Sequence, residues 1–311
     1  MYLPIAGNSV NILIIFGLGG FVGFLSGIFG VGGGFLMTPL LIMFGIPATV
    51  AAASDSNQIV GASTSGTFAH WRLGNVDFKM GVLLMIGGII GGTIGVQIIK
   101  ILRATGNADF LISITYVIML GGVGGYMFIE SLQGLKKTKI TEDIESVDSP
   151  SVPKKESTYA RMFKNIPLQT YFPKSGVEIS MLLPLFFGTL VGILAAIMGV
   201  GGGFLMVPVM VYLLRMPMHV VVGTSLFQIL FTCINVTIMQ AKTNHTVDFV
   251  LAVLLLLGST IGVQIGTKVS KKLHGDQLKI LLACLVLIVC VKMMAGLLMH
   301  PDFMIAMKGG H

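Results

Sequence analysis

The sequence predicts an all-α integral membrane protein made of two inverted-topology repeats, each of about five membrane segments. Three observations carry this. Of 311 residues, 54% are hydrophobic and 11% charged, where soluble domains carry about 25% charged residues; the mean hydropathy is +0.90. The decapeptide Gly30-Val31-Gly32-Gly33-Gly34-Phe35-Leu36-Met37-Thr38-Pro39 returns as Gly199-Val200-Gly201-Gly202-Gly203-Phe204-Leu205-Met206-Val207-Pro208, differing only at Thr38 and Val207. Two further blocks then recur in the same order: Val76-Asp77-Phe78 as Val247-Asp248-Phe249, and Thr93–Ile98 as Thr260–Ile265. The chain accordingly divides into an N-terminal membrane repeat (residues 1–130), a linker (131–178) and a C-terminal membrane repeat (179–311).

Taken in order, Val10–Phe29 is apolar for the length that a bilayer requires. Met1–Ser9 carries no basic residue, so a retained first span is expected rather than a cleaved signal. Four glycines in Gly30–Gly34 cannot sustain a regular helix, at about 1 kcal/mol each against Ala. Phe35–Phe44 is too short to cross alone. Thr49–Ala69 is long enough but carries Ser54, Asp55, Ser56, Asn57, Gln58 and Ser63, a face that lipid does not tolerate. Met80–Ile99 and Phe110–Ile129 are ordinary spans. Ser131–Gly176 holds charge runs such as Lys136-Lys137-Thr138-Lys139 and reads as a solvated linker; its stretch Tyr159–Phe172 is either a headgroup-bound segment or an irregular loop. The second half repeats the plan with Met181–Met198, the glycine break, Phe204–Leu214, the polar Met218–Ala241 and two further spans, the last Leu278–Leu298.

The net charge of +7 comes from loops and indicates no nucleic-acid partner. If each short segment completes a crossing, 15 basic residues fall on one side and 4 on the other; if each is re-entrant, the split is 12 to 7. The positive-inside rule favours the sharper bias. Ten membrane segments follow, with both termini outside, the linker in the cytoplasm and the second repeat inverted. Cys233, Cys284 and Cys290 lie in apolar spans without Cys-x-x-Cys spacing, so neither a disulfide framework nor a metal site is indicated, and no cofactor.

A broken helix in matching positions of two halves points to a transporter's binding site. Glycine lets backbone approach a ligand, and a helix starting inside the membrane presents unpaired amides that attract an anion without any basic side chain. The candidate substrate-binding residues are Gly30, Gly32, Gly33, Gly34 and Phe35, with Gly199, Gly201, Gly202, Gly203 and Phe204. Close helix packing is the competing explanation for these glycines. The polar spans add Ser54, Gln58, Thr224, Ser225 and Gln228, for which interhelical hydrogen bonds are the alternative. Asp55 is the only acid deep in a span and is a candidate coupling or gating residue; a buried structural hydrogen bond competes. Lys292 lies about 9 Å from the end of the last span and is read as snorkelling to the interface. His70-Trp71-Arg72 is read as an interfacial anchor.

At the paired Gly-Val-Gly-Gly-Gly-Phe-Leu-Met-x-Pro motif, and at Gly223-Thr224-Ser225-Leu226, the chain resembles the sulfite exporter TauE/SafE family. The resemblance implies export of sulfite, an organosulfonate or another small sulfur-containing anion across the cytoplasmic membrane, coupled to an ion gradient. It carries roles to Gly30–Phe35, Gly199–Phe204 and Thr224-Ser225. Ala53-Ser54-Asp55-Ser56 departs from the pattern, and an acid there implies a different anion or protonation during the cycle. A coupled transporter and an uncoupled anion channel both fit these residues. No nucleophile–base pair in a span supports an enzyme, and the partners expected are a small anion and the bilayer.

Overall fold

A computed structural model describes residues 2, 3, 5, 7–29, 34–141, 168–214, 216–270 and 275–299. Among the described residues five helices come first, the last running into the linker: α1 (Ile12–Phe29), α2 (Gly34–Met43), α3 (Ala48–Arg72), α4 (Phe78–Ala104) and α5 (Ala108–Thr141). Five follow it: α6 (Leu182–Met198), α7 (Gly203–Pro208), α8 (Met218–Met239), α9 (Phe249–Ser270) and α10 (Gly275–Met299). α7 passes into a π-helical turn, Val209–Leu213. Pro208 offers no amide for the ordinary ladder, and a wider turn takes up the mismatch. α4, the first part of α5, α8 with its π-helical extension, and α9 are long and apolar enough to cross a membrane. α3 has the length but not the apolarity, because its polar residues face protein: Ser54, Asp55, Ser56, Gln58 and Ser63 are all buried.

The duplicated Val-Asp-Phe block now has a physical reason. Asp77 starts α4 and accepts a hydrogen bond from the Met80 amide at 3.1 Å. Asp248 starts α9 and accepts from the Val250 and Leu251 amides at 3.2 and 3.1 Å. Each satisfies amides that a helix start leaves without a partner.

The helices pack by exchange between halves. α1 packs along α9, and α4 along α6. Both pairs run parallel: Gly19 meets Leu255 and Gly23 meets Ser259, while Gly87 meets Leu185, Gly91 meets Thr189 and Gly95 meets Ile193. α3 packs on α8 and α5 on α10. Those pairs run antiparallel: Gly66 meets Leu226 and His70 lies against Gly223, while Gly121 meets Cys290 and Gly124 meets Val286. In the parallel pairs main chain lies against main chain at the glycines, the small-residue packing that lets membrane helices approach closely. Leu13, Ile118, Phe249 and Leu298 are among the large apolar side chains left on the outer surface, the composition of a face that meets lipid.

Two expectations change at the linker. The helix beginning at Ala108 does not end near Ile129 but continues to Thr141; lysine is a good helix former, so the run from Lys136 extends it. Residues 142–167, with most of the proposed headgroup segment, lie outside the described residues. The far end of the linker is folded rather than solvated. Two strands, Gln169–Phe172 and Val177–Ser180, form an antiparallel hairpin. The Ser175 amide and hydroxyl donate to Asp77 Oδ2 at 3.1 and 2.5 Å. Lys174 Nζ donates to the Gly74 carbonyl at 2.9 Å, and Phe172 is fully buried beside Met80 and Leu84. A second small hairpin pairs Tyr2–Leu3 with Asn8–Ser9.

A Cβ at Gly91 would sit 2.0 Å from the Thr189 carbonyl oxygen, whereas one at Gly122 would have nothing within 4 Å. Gly91→Val should therefore lower unfolding free energy in detergent by about 1–3 kcal/mol or more. Gly122→Val should stay within about 0.5 kcal/mol of the parent. Equal thermal stability of the two variants would contradict this helix packing.

Candidate functional site

The two glycine motifs meet. The Phe35 and Phe204 rings, each one residue into its short helix, stack with centroids 4.7 Å apart and planes 8° from parallel. A Cβ on Gly34 would lie 3.3 Å from Val200 Cα and 2.3 Å from Ile59 Cδ1, so the end of the first motif rests on the backbone of the second. Gly30, Gly32 and Gly33 lie outside the described residues. Gly199, Gly201 and Gly202 have φ of 74°, 70° and 80°, a region that side chains with a Cβ disfavour. Leu205 and Met206 donate to the Gly202 carbonyl at 3.1 and 2.8 Å, leaving the Gly203 and Phe204 amides with no intrahelical partner.

The second turn is strapped to the first half. Ser56 Oγ donates to the Gly199 carbonyl at 3.3 Å and to Ala52 O at 3.1 Å. The Tyr116 hydroxyl donates to the Met198 carbonyl. Around Gly201 stand Cys233, Ile229 and Ile59; Val191 abuts Gly202. The turn is thus closed by apolar side chains in this conformation, and residues 199–203 are buried.

Asp55 lies in the same region, on α3, with no exposure. Thr38 Oγ1 donates to Asp55 Oδ2 at 2.9 Å, while Oδ1 has no hydrogen-bond partner among the described residues. Thr38 is the single position at which the two decapeptides differ, and Asp55 is one of several positions at which the polar helices differ. In the second half the counterparts are Val207 and Ser225. The Thr38–Asp55 hydrogen bond therefore has no equivalent there.

The remaining candidates separate. Gln58 and Gln228 are buried, and each has a carbonyl oxygen without a partner among the described residues; Gln228 Nε2 donates to Thr232 Oγ1 at 2.9 Å. Ser54 and Thr224 also serve the fold. Ser54 Oγ accepts from the Asp248 amide at 3.3 Å and Thr224 Oγ1 from the Asp77 amide at 3.0 Å. Each polar helix thus supports the helix start of the opposite half, and because both oxygens act as acceptors each O–H remains a donor. Ser225 Oγ bonds back to the Val222 carbonyl at 3.1 Å within its own helix. Sequence reasoning missed Thr38, whose signal was the mismatch itself, and Tyr116, which gave none. Among the described residues no group of three or more His, Cys, Asp or Glu is placed to hold a metal.

The sulfite exporter TauE/SafE family matches residues 15–293. The chain belongs to this family. It is 27% identical to the probable membrane transporter protein YjnA of Bacillus subtilis over 289 residues, covering 92% of this chain and 99% of that one. It is 25% identical to YunE of the same organism, a probable membrane transporter protein, over 300 residues, covering 93% and 99%. Sulfite exporter TauE/SafE family protein 2 of Arabidopsis thaliana is 28% identical over 98 residues, 31% of this chain and 21% of that one. No solved structure matches. Family, relatives and apolar helices together make this a multi-pass membrane transporter.

If the Phe35–Phe204 stack joins the motifs, Phe35→Leu and Phe204→Leu should each destabilise the protein, and the double variant should lose less than their sum by about 0.5–1.5 kcal/mol. Additive losses in detergent unfolding would show that the rings do not interact.

Proposed function

We propose that the protein is a secondary transporter that exports a small sulfur-containing anion, sulfite or an organosulfonate, across the cytoplasmic membrane. The observation that carries this is the convergence of both glycine motifs at one point in a family of sulfite exporters. The anion binds at the two intramembrane helix starts, through main-chain amides of Gly30–Phe35 and Gly199–Phe204, with Gln58 and Gln228 alongside. Ser54 and Thr224 support the starts of α9 and α4, and Ser225 stands beside Thr224 on α8 as a further candidate.

The architecture is two inverted repeats. The contacts between equivalent helices support it: α3 with α8, and α5 with α10, lie antiparallel, as repeats related by an axis in the membrane plane require. The pairing of α1 with α9 and of α4 with α6 is the same contact seen from either half. Both termini lie outside and the linker, residues 131–178, lies in the cytoplasm, in keeping with the bias of basic residues. The closed glycine turn represents an occluded state, and rocking of one half against the other opens it.

Asp55 couples the cycle to protons. A charge at the bilayer centre costs about 2.5–3.5 kcal/mol on insertion scales. Asp55 has one hydroxyl donor on Oδ2 and none on Oδ1, the surroundings of a neutral carboxyl. Deprotonation creates a charge that the closed site does not solvate, and the same event repels a bound anion, which links proton release to anion release.

Proteoliposomes test both parts. The wild-type protein should accumulate one of sulfite, sulfate, thiosulfate or a short sulfonate against its gradient when a pH gradient is imposed. A channel would only equilibrate it. Asp55→Asn, which preserves the acceptor for Thr38, should lose pH-driven accumulation and keep downhill exchange; pH-driven flux at the parental level would remove Asp55 from the coupling.

A further inference from the structure

Away from the glycine turns, a pocket of about 550 Å³ lies between the α2–α3 turn, the start of α5 and the last turns of α10. Its walls are mainly apolar, Ile46, Met293 and Leu297 among them, but three polar side chains also line it: Lys292, Asp109 and Ser113. Each is odd in its setting. Lys292 is exposed on a face of α10 whose neighbours Ile288, Val291 and Leu298 are exposed apolar side chains, and no carboxylate pairs with it among the described residues. Asp109 uses Oδ1 to accept from the Thr49 amide at 2.8 Å, a bond that leaves Oδ2 unused.

Ser113 is the most informative. It is 2% exposed, and its hydroxyl has no hydrogen-bond partner among the described residues. Thr115, two residues on, and Thr64, Thr93, Thr189 and Thr260 elsewhere all bond back to the carbonyl four residues earlier. That is the usual refuge of a helix hydroxyl in apolar surroundings. Ser113 does not take it, although a buried hydroxyl left unpaired costs about 1–3 kcal/mol. A ligand in the pocket would supply the missing partner.

We propose that this pocket binds the headgroup of a zwitterionic aminophospholipid. The phosphodiester oxygens accept from Lys292 Nζ and Ser113 Oγ, and the primary ammonium donates to Asp109. The charge pattern selects the class: a cation alone would favour an anionic lipid, but the acid beside it matches a headgroup that carries both signs. The apolar walls and the exposed apolar face of α10 select a lipid over a small solute, since acyl chains continue where the pocket opens. A primary ammonium is required because a trimethylated one has no N–H to give Asp109. The proposal does not depend on which anion is transported.

The test uses full-length protein, stripped of lipid in a nonionic detergent, with thermal stability read after adding mixed micelles of one dioleoyl lipid. Phosphatidylethanolamine should raise Tm more than phosphatidylcholine or phosphatidylglycerol. That excess should vanish in Lys292→Gln and in Asp109→Asn, each referred to its own lipid-free Tm; the second change preserves the acceptor for Thr49. Retention of the excess in both variants, or equal shifts from all three lipids, would overturn the proposal. Free phosphoethanolamine should have no effect; if it reproduced the shift alone, the occupant would be a soluble zwitterion and the lipid assignment would be wrong.

Discussion

The start of α2 and the glycine turn that leads into α7 meet inside this molecule, and the arrangement of everything else depends on their being able to do so. Gly34 rests on Val200, Gly199 on the carbonyl of Ala52, and Phe35 lies flat on Phe204. A Cβ at Gly199 would stand 2.1 Å from the Ala52 oxygen, so the contact exists only between backbones. Backbones brought this close also bring together the starts of α2 and α7, and the first amides of a helix have no intrahelical partner. In a protein interior that holds Asp55 and no basic residue among the named neighbours, those amides are the available positive charge.

Around that contact the halves hold each other by exchange. The Thr224 hydroxyl supports the amide of Asp77, and Ser54 supports that of Asp248; the two aspartates in turn cap α4 and α9. Tyr116 and Ser56 of the first half hold the carbonyls that lead into the second glycine turn. Neither half completes the starts of α4 and α9 alone, and the second glycine turn leans on the first half. A displacement of one half therefore acts directly on the main chain of the other, which is the mechanical requirement of the alternating access proposed above. The Thr38–Asp55 pair has no counterpart in the second half, where Val207 and Ser225 stand.

Four membrane spans, the glycine interruption before α7 and the buried character of α3 were legible because each follows from local composition: apolar length, glycine density, and a polar face too costly for lipid. The roles of the polar residues were not. Ser54 and Thr224 look like binding groups in a list of hydroxyls, yet they serve amides about 150 to 190 residues away, and no local pattern encodes such a partner. The repeated Val-Asp-Phe was visible as a repeat, but its capping role needed only the rule that an acid before an apolar helix accepts from its first amides. The hairpin at Gln169–Ser180 was hidden by its shortness; it is fixed by Phe172 and by Ser175 on Asp77 rather than by strand propensity. Thr38 was written in the sequence as the one imperfect letter of the motif, and only the fold joins it to Asp55.

Cys233 supplies the most direct test of the central claim, because its sulfur abuts Gly201 and is buried in the closed turn. In protein carrying Cys284→Ser and Cys290→Ser, alkylation of Cys233 by N-ethylmaleimide is followed by intact mass in proteoliposomes, with ethanesulfonate or sulfate as the inert anion in place of thiol-like sulfite. If the meeting point of the turns is the anion site and opens during transport, Cys233 reacts without anion and is slowed sharply by an anion that the protein carries. A rate indifferent to every transported anion would place the site elsewhere.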